Sequence, residues 1–196
     1  MTRTLCQEME AIETALCEEL EGLVSTFLSL PIARGFHLTM CGIALRDREQ
    51  LESIMIPPQK GQEAAFRSRL HSAMKNLKEL SDDHCGDEGV EIMRSMNVRR
   101  SFYEGHIRDN NLNGQYAGLE EPLHKVATAR TELYRFYGGL SAEFPDVDSN
   151  VVQEAAWRAS LRYDPSLGYG FPAYAQHWIS VFAQRHESTQ GTTRRG

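Results

Sequence analysis

Seven aromatic side chains crowd into residues 157–182: Trp157, Tyr163, Tyr169, Phe171, Tyr174, Trp178 and Phe182, both tryptophans of the chain among them. Phe171, Tyr174, Trp178 and Phe182 stand three or four residues apart, so a helix places them on one face, with His177 beside Tyr174. Such a stripe has two uses. It is buried as core, or its rings serve as platforms for unstacked nucleic-acid bases, at ~1–3 kcal/mol per base. Upstream lies Asn150-Val-Val-Gln-Glu154. Its amide and carboxylate on one helical turn suit an Arg-rich partner, or simply a solvated helix start. Gln184 and Arg185 follow the stripe, placed to reach a phosphate or a base edge.

Other chemistry finds less to work with. The sequence holds no G-x-x-x-x-G-K-[ST], G-x-G-x-x-G or G-x-S-x-G, so phosphate-loop and hydrolase readings lack support. Seven histidines form no H-x-x-x-H pair, and four cysteines (Cys6, Cys17, Cys41, Cys85) form no C-x-x-C. Asp82, Asp83, His84 and Cys85 read as a polar loop before they read as a metal cluster. Glu18-Glu19 and Glu120-Glu121 read as solvated helix faces, and Arg99-Arg100 as a small basic spot that touches nucleic acid or forms surface ion pairs. The expectation is a non-enzyme with no cofactor and no metal.

The elements that must position these residues are helical. Leu5, Met9, Ile12, Leu16, Leu20, Leu23 and Phe27 recur at helical spacing, with Pro31 as the stop. Further helices are expected over 45–56, 62–80 and 90–96, and again after a cap at Asn97. A long one runs over 115–144 with a kink at Gly138-Gly139, and the last two cover 150–163 and 171–185. Polar, glycine-punctuated breaks fall at 81–89 and 109–114, and the tail from His186 reads as frayed. No useful β-alternation and no repeat occurs, which predicts an all-α fold.

Composition sets outer limits. The 196 residues are 41% hydrophobic and 24% charged, with a net charge of −6, which argues against a free-standing non-specific nucleic-acid binder. The balance is uneven: 16 basic against 24 acidic residues in 1–150, five arginines against three acids in 151–196. No run approaches the ~18–20 apolar residues that span a bilayer, and no basic-then-apolar leader opens the chain, so a cytoplasmic protein with no membrane partner is expected.

The order of residues from Asn150 to Ile179 resembles region 2 of the sigma-70 family of bacterial transcription initiation factors. That family carries D-L-I-Q-E-G at a helix start, then F-D-x-x-x-G-x-x-F-S-T-Y-A-x-x-W-I. Here Gln153 and Glu154 match the first motif, Tyr163-Asp164 replaces Phe-Asp, and Gly168, Phe171, Tyr174, Ala175, Trp178 and Ile179 stand at the matching spacing. The likeness covers about 40 residues strongly and extends weakly through 119–144. It implies a sigma region-2-like domain over 111–186, preceded by an acidic helical segment over 1–110 like the variable insertion of primary sigma factors. Residues 187–196 would then be a flexible tail.

Carried over by position, the resemblance implies that Asn150, Gln153 and Glu154 dock on the clamp helices of the largest subunit of core RNA polymerase. Tyr174 would stack where an adenine of the −10 element is flipped from the non-template strand. Trp178, with His177 in place of a tryptophan, would buttress the upstream edge of the bubble. Tyr169 and Phe171 would line the non-template strand, and Gln184 and Arg185 would add a phosphate or base contact. The departures are specific. Gly170, Pro172 and Ala173 stand where the family commonly has Lys, Ser and Thr, and Val181 stands where a glutamine reads the upstream base pair. The chain also ends soon after this segment, similar in plan to the late sigma factors of T4-type phages. In those factors partners replace the missing domain, so the resemblance leaves open a second protein factor beside polymerase and promoter DNA. Three readings stay open: a sigma-like factor that engages a −10-like element, a polymerase-binding regulator without promoter recognition of its own, and an unrelated helical interaction module whose C-terminal aromatics are core.

Overall fold

A computed structural model describes residues 3–80, 86–111 and 116–193, and among these every regular element is helical apart from one isolated bridge. The fold is all-α. The described helices are α1 (Arg3–Ser29), α2 (Ile32–Arg46), α3 (Arg48–Ile54), α4 (Glu63–Glu79), α5 (Asp87–Arg94), α6 (Arg100–Asn111), α7 (Glu120–Gly138), α8 (Ser149–Arg162) and α9 (Phe171–Thr193). None of them is long and apolar enough to cross a membrane. Two compact units divide the chain, one of residues 1–20 with 121–196 and one of residues 21–120, whereas the sequence placed its boundary at 110/111.

In the unit of residues 21–120, the end of α1 buries Leu23 and Phe27, and α2 buries Ala33, Phe36, His37, Met40, Cys41 and Ala44. Phe27 sits at the hub, with the rings of Phe36, Tyr103, His106 and Tyr116 at 5.7–6.1 Å. The polar tips inside this cluster satisfy one another. His37 Nδ1 bonds to the Ala33 carbonyl at 2.8 Å and its Nε2 faces the Tyr103 hydroxyl at 3.3 Å, while His106 Nε2 meets the Tyr116 hydroxyl at 3.0 Å. Burial lowers both histidines below their ordinary range and pushes the Tyr103 hydroxyl up to about 12. Neutral imidazoles are the form this interior accepts.

Several boundaries differ from expectation, each for a visible reason. Residues 32–46 are helical although the sequence reading began its second helix at 45. Asp47 ends that helix and starts the next, its carboxylate accepting the Gln50 N–H at 3.1 Å. Asn97 does not cap α6; it takes a left-handed φ of +38° and its carbonyl accepts the Ile56 N–H at 2.9 Å, beside the Met55–Val98 bridge. The breaks are narrower than expected, since 87–89 begin α5 and 109–111 finish α6; residues 81–85 and 112–115 lie outside the described ones. The helix expected over 115–144 is confined to 120–138 and ends at the glycine pair instead of kinking there. Beyond His186, α9 stays helical to Thr193 where fraying was expected.

Candidate nucleic-acid interface

The unit of residues 1–20 and 121–196 is built around α8 and α9, which pack against each other. Asp148 starts α8 by accepting the Asn150 N–H at 2.8 Å. Ala155, Ala156 and Ala159 are fully buried on α8, small enough to let its neighbours approach closely. The far end of α8 is finished by a buried arginine. Arg130 of α7 donates to the carbonyl oxygens of Ser160 and Tyr163, the latter at 3.0 Å. Those are acceptors that the helix itself leaves open. Asp164 then caps a short 3-10 turn over Pro165–Leu167, and Gly168, at φ +78°, releases the chain in a conformation other residues resist.

The start of α9 is capped from the other end of the sequence. Gly170 has no side chain to offer, and the carboxylate of Glu13 on α1 takes over: Oε1 accepts the Phe171 N–H at 2.7 Å and Oε2 accepts the Tyr163 hydroxyl at 3.4 Å. An anion at a helix N-terminus is held by the orphan amides and the dipole. Burial raises the Glu13 carboxyl above its ordinary range, opposed by its bonds to Phe171 and Tyr163. The Tyr163 hydroxyl, pushed well up by burial, also donates to the Tyr169 carbonyl at 2.8 Å and fixes the loop that carries that ring.

The aromatic stripe divides into a core part and an open part. Phe171, expected to line a DNA strand, is 0% exposed; it packs edge-on to Tyr137 and Tyr163 at 5.3 and 5.2 Å and is corrected to core. Tyr163 is buried beside it. Outside them runs a ladder. Tyr169, 39% exposed, stacks on Tyr174 at 5.7 Å and 29°; Tyr174 meets Trp178 edge-on at 6.3 Å; Trp178 meets Phe182 at 6.0 Å. Tyr163, Tyr169 and Tyr174 have centroids 5.7–6.3 Å apart, nearly an equilateral triangle. Cations lie over the two outer rungs, Arg162 5.2 Å from Trp178 and Arg185 5.9 Å from Phe182. His177 and Gln184 are exposed along the same helix.

Asn150, Gln153 and Glu154 are all exposed, and they occupy two faces of α8. Asn150 and Glu154 share a groove of about 370 Å³ with Phe182 and Arg185, so residues expected to serve two different partners line one hollow. Glu154 also pairs with Arg158 at 3.6 Å. Gln153 instead faces α7, its Cγ 3.9 Å from where a Cβ on Gly138 would stand. Four residues on, Trp157, 40% exposed, packs edge-on to Tyr134 at 5.3 Å.

Sequence reasoning missed Glu13, Arg130, Tyr134 and the cationic partner Arg162. Only Arg162 had a local signal, as the basic residue heading the Tyr163-Asp164 pair. The Arg99-Arg100 spot is engaged within its own unit, Arg99 Nε with the Met55 carbonyl at 3.0 Å and Arg100 with Glu21 at 2.7 Å. Among the described residues no three His, Cys, Asp or Glu side chains gather to hold a metal ion; the Asp82–Cys85 cluster lies outside them. Set against models of known protein families, characterised proteins and solved structures, the chain finds no match in any of the three.

Proposed function

We propose that this chain is a sigma-like transcription-initiation subunit that docks on core RNA polymerase through α8 and captures unstacked bases of a −10-like non-template strand on the ladder of α9. The observation that carries the reading is the open half of the stripe. Tyr169, Tyr174, Trp178 and Phe182 form a continuous run of partly exposed rings with a guanidinium over each outer member, while the neighbouring Phe171 and Tyr163 are buried to hold them in place. Flipping a base out of a duplex costs a few kcal/mol, which two or three stacking rings and a phosphate contact offset. A chain of net charge −6 gathers little DNA by itself, so docking on polymerase supplies the local concentration. The test is retention by core polymerase at low salt, followed by permanganate footprinting on a −10-only promoter with no other sigma factor present. Open thymines support the reading, and absence of binding to core ends it.

One observation favours a second reading, a regulator that occupies polymerase without opening DNA. The family's lysine position is Gly170, and the carboxylate of Glu13 stands 3.6 Å from where a Cβ there would be. A carboxylate in place of a cation weakens phosphate binding at the entrance to the ladder. Binding to core with no thymine reactivity, and displacement of a resident sigma factor, is the outcome this reading expects.

A further inference from the structure

A hollow of the unit of residues 21–120, lined by the segment after α3 and by α4, has no role in the function proposed above. It measures about 580 Å³, within the range of small-molecule sites. Its apolar lining includes Met55, Pro57, Pro58, Phe66, Ile92 and Met96, from the linker after α3, from α4 and from the end of α5. One face of α4 supplies the polar edge: Arg69, Ser72 and Asn76, three or four residues apart and therefore in a row along the groove. Arg69 is the sole charged side chain of the lining, in a protein with 27 acids, and no carboxylate faces it there. It makes no ion pair among the described residues. The wall opposite is held by the Met55–Val98 bridge and by Asn97, at φ +38° the one non-glycine residue with left-handed backbone among those described. That wall is built, at some strain, where it encloses the hollow.

We propose that this groove binds a small amphipathic monoanion, an apolar body ending in a carboxylate, with Arg69 as the anion contact and the methionine-, proline- and phenylalanine-lined floor as the apolar contact. The charge argument selects the ligand. An apolar amine would meet an arginine with nothing to compensate, and a polyanion would find a single cation. A neutral apolar molecule would leave the guanidinium unused. Two parallel N–H···O bonds from a guanidinium to a carboxylate add both strength and orientation. Met55 and Met96, on the wall beside the bridge, adapt to the shape of the body.

The test is calorimetric titration of the full chain with decanoate, decanol and decylammonium as probes of one length and three charges. Decanoate is expected to bind one to one, decanol about tenfold more weakly, and decylammonium not measurably. Arg69→Gln removes the preference for decanoate over decanol, and Arg69→Lys restores part of it. Ala73→Trp, which fills the groove from α4, abolishes binding of both, and Ala73→Leu weakens both if the larger ring disturbs the helix. Thermal unfolding followed by circular dichroism shows each variant to be folded. No saturable decanoate binding overturns the proposal. So does equal binding of decanol and decanoate with Arg69→Gln silent, the behaviour of a plain apolar groove that docks a protein helix. None of these readouts involves polymerase or DNA, so failure here leaves the initiation reading untouched, and the reverse.

Discussion

The chain contains two aromatic clusters of similar size, and they are built to opposite ends. Around Phe27, the rings of Phe36, Tyr103, His106 and Tyr116 close on one another and their polar atoms pair within the cluster, His37 with Tyr103 and His106 with Tyr116. Around Tyr174, two rings go to core and the rest run outward to solvent with Arg162 and Arg185 over the last rungs. Residue type does not separate the two. What does is where the polar tips and the charges end up. Inward pairing seals one cluster, while the other carries guanidinium groups over its outer rings.

Substitutions can break that contrast. Phe27→Ala removes the hub of the sealed cluster and is expected to destabilise its unit by about 3–5 kcal/mol, read as a lower urea midpoint. Tyr174→Ala is expected to leave folding and core-polymerase binding nearly intact while costing about 1–3 kcal/mol of single-strand capture, read by fluorescence anisotropy of a −10 oligonucleotide in the polymerase complex. Should it instead unfold the protein without a separate binding effect, Tyr174 belongs with Phe171 and the contrast collapses.

Glu13→Ala leaves the first amide of α9 short of a partner, while the Tyr163 hydroxyl keeps the Tyr169 carbonyl, for an expected loss of about 0.5–2 kcal/mol in denaturant titration, with Glu13→Gln retaining most of the stability. Acid sharpens the comparison more gently. His37 and His106 both titrate below their ordinary value because of burial, so the unfolded chain takes up protons first. Their contribution is complete above the ordinary histidine pKa of about 6.5 and is lost as the pH falls below it towards the lowered folded values. A urea midpoint that declines from pH 7 to 5.5, and declines less in His106→Asn, is the expected result. The smallest effect belongs to Arg158→Ala, whose exposed pair with Glu154 is worth about 0.3–0.5 kcal/mol and fades in salt.

Much of this architecture could be read from one-dimensional periodicity, and the exceptions share a cause. The apolar rows of α1, α4, α8 and α9 are long and clean, so they were visible. Residues 32–44 repeat their buried positions just as regularly, at Ala33, Phe36, Met40 and Ala44, yet Gly35, Thr39 and Gly42 lower the local propensity. Tertiary packing overrides it. The ring stripe of α9 was visible as a stripe, but spacing is identical for a core ring and an open one. Phe171 is sealed by Tyr137 and Tyr163 from other elements, which no window around residue 171 contains. Arg130 and Glu13 lay beyond sequence reach for the same reason, since each finishes a helix to which it does not belong.

The bond between Glu13 and the Phe171 amide joins residues 158 positions apart. Contacts of such separation close late and slowly, because the intervening loop must first be brought to order. During synthesis the start of α9 is therefore capped only after the whole stretch between Glu13 and Phe171 has been made. A polypeptide cut short of residue 171 lacks α9 altogether, and the carboxylate of Glu13 is then left without the amide it caps.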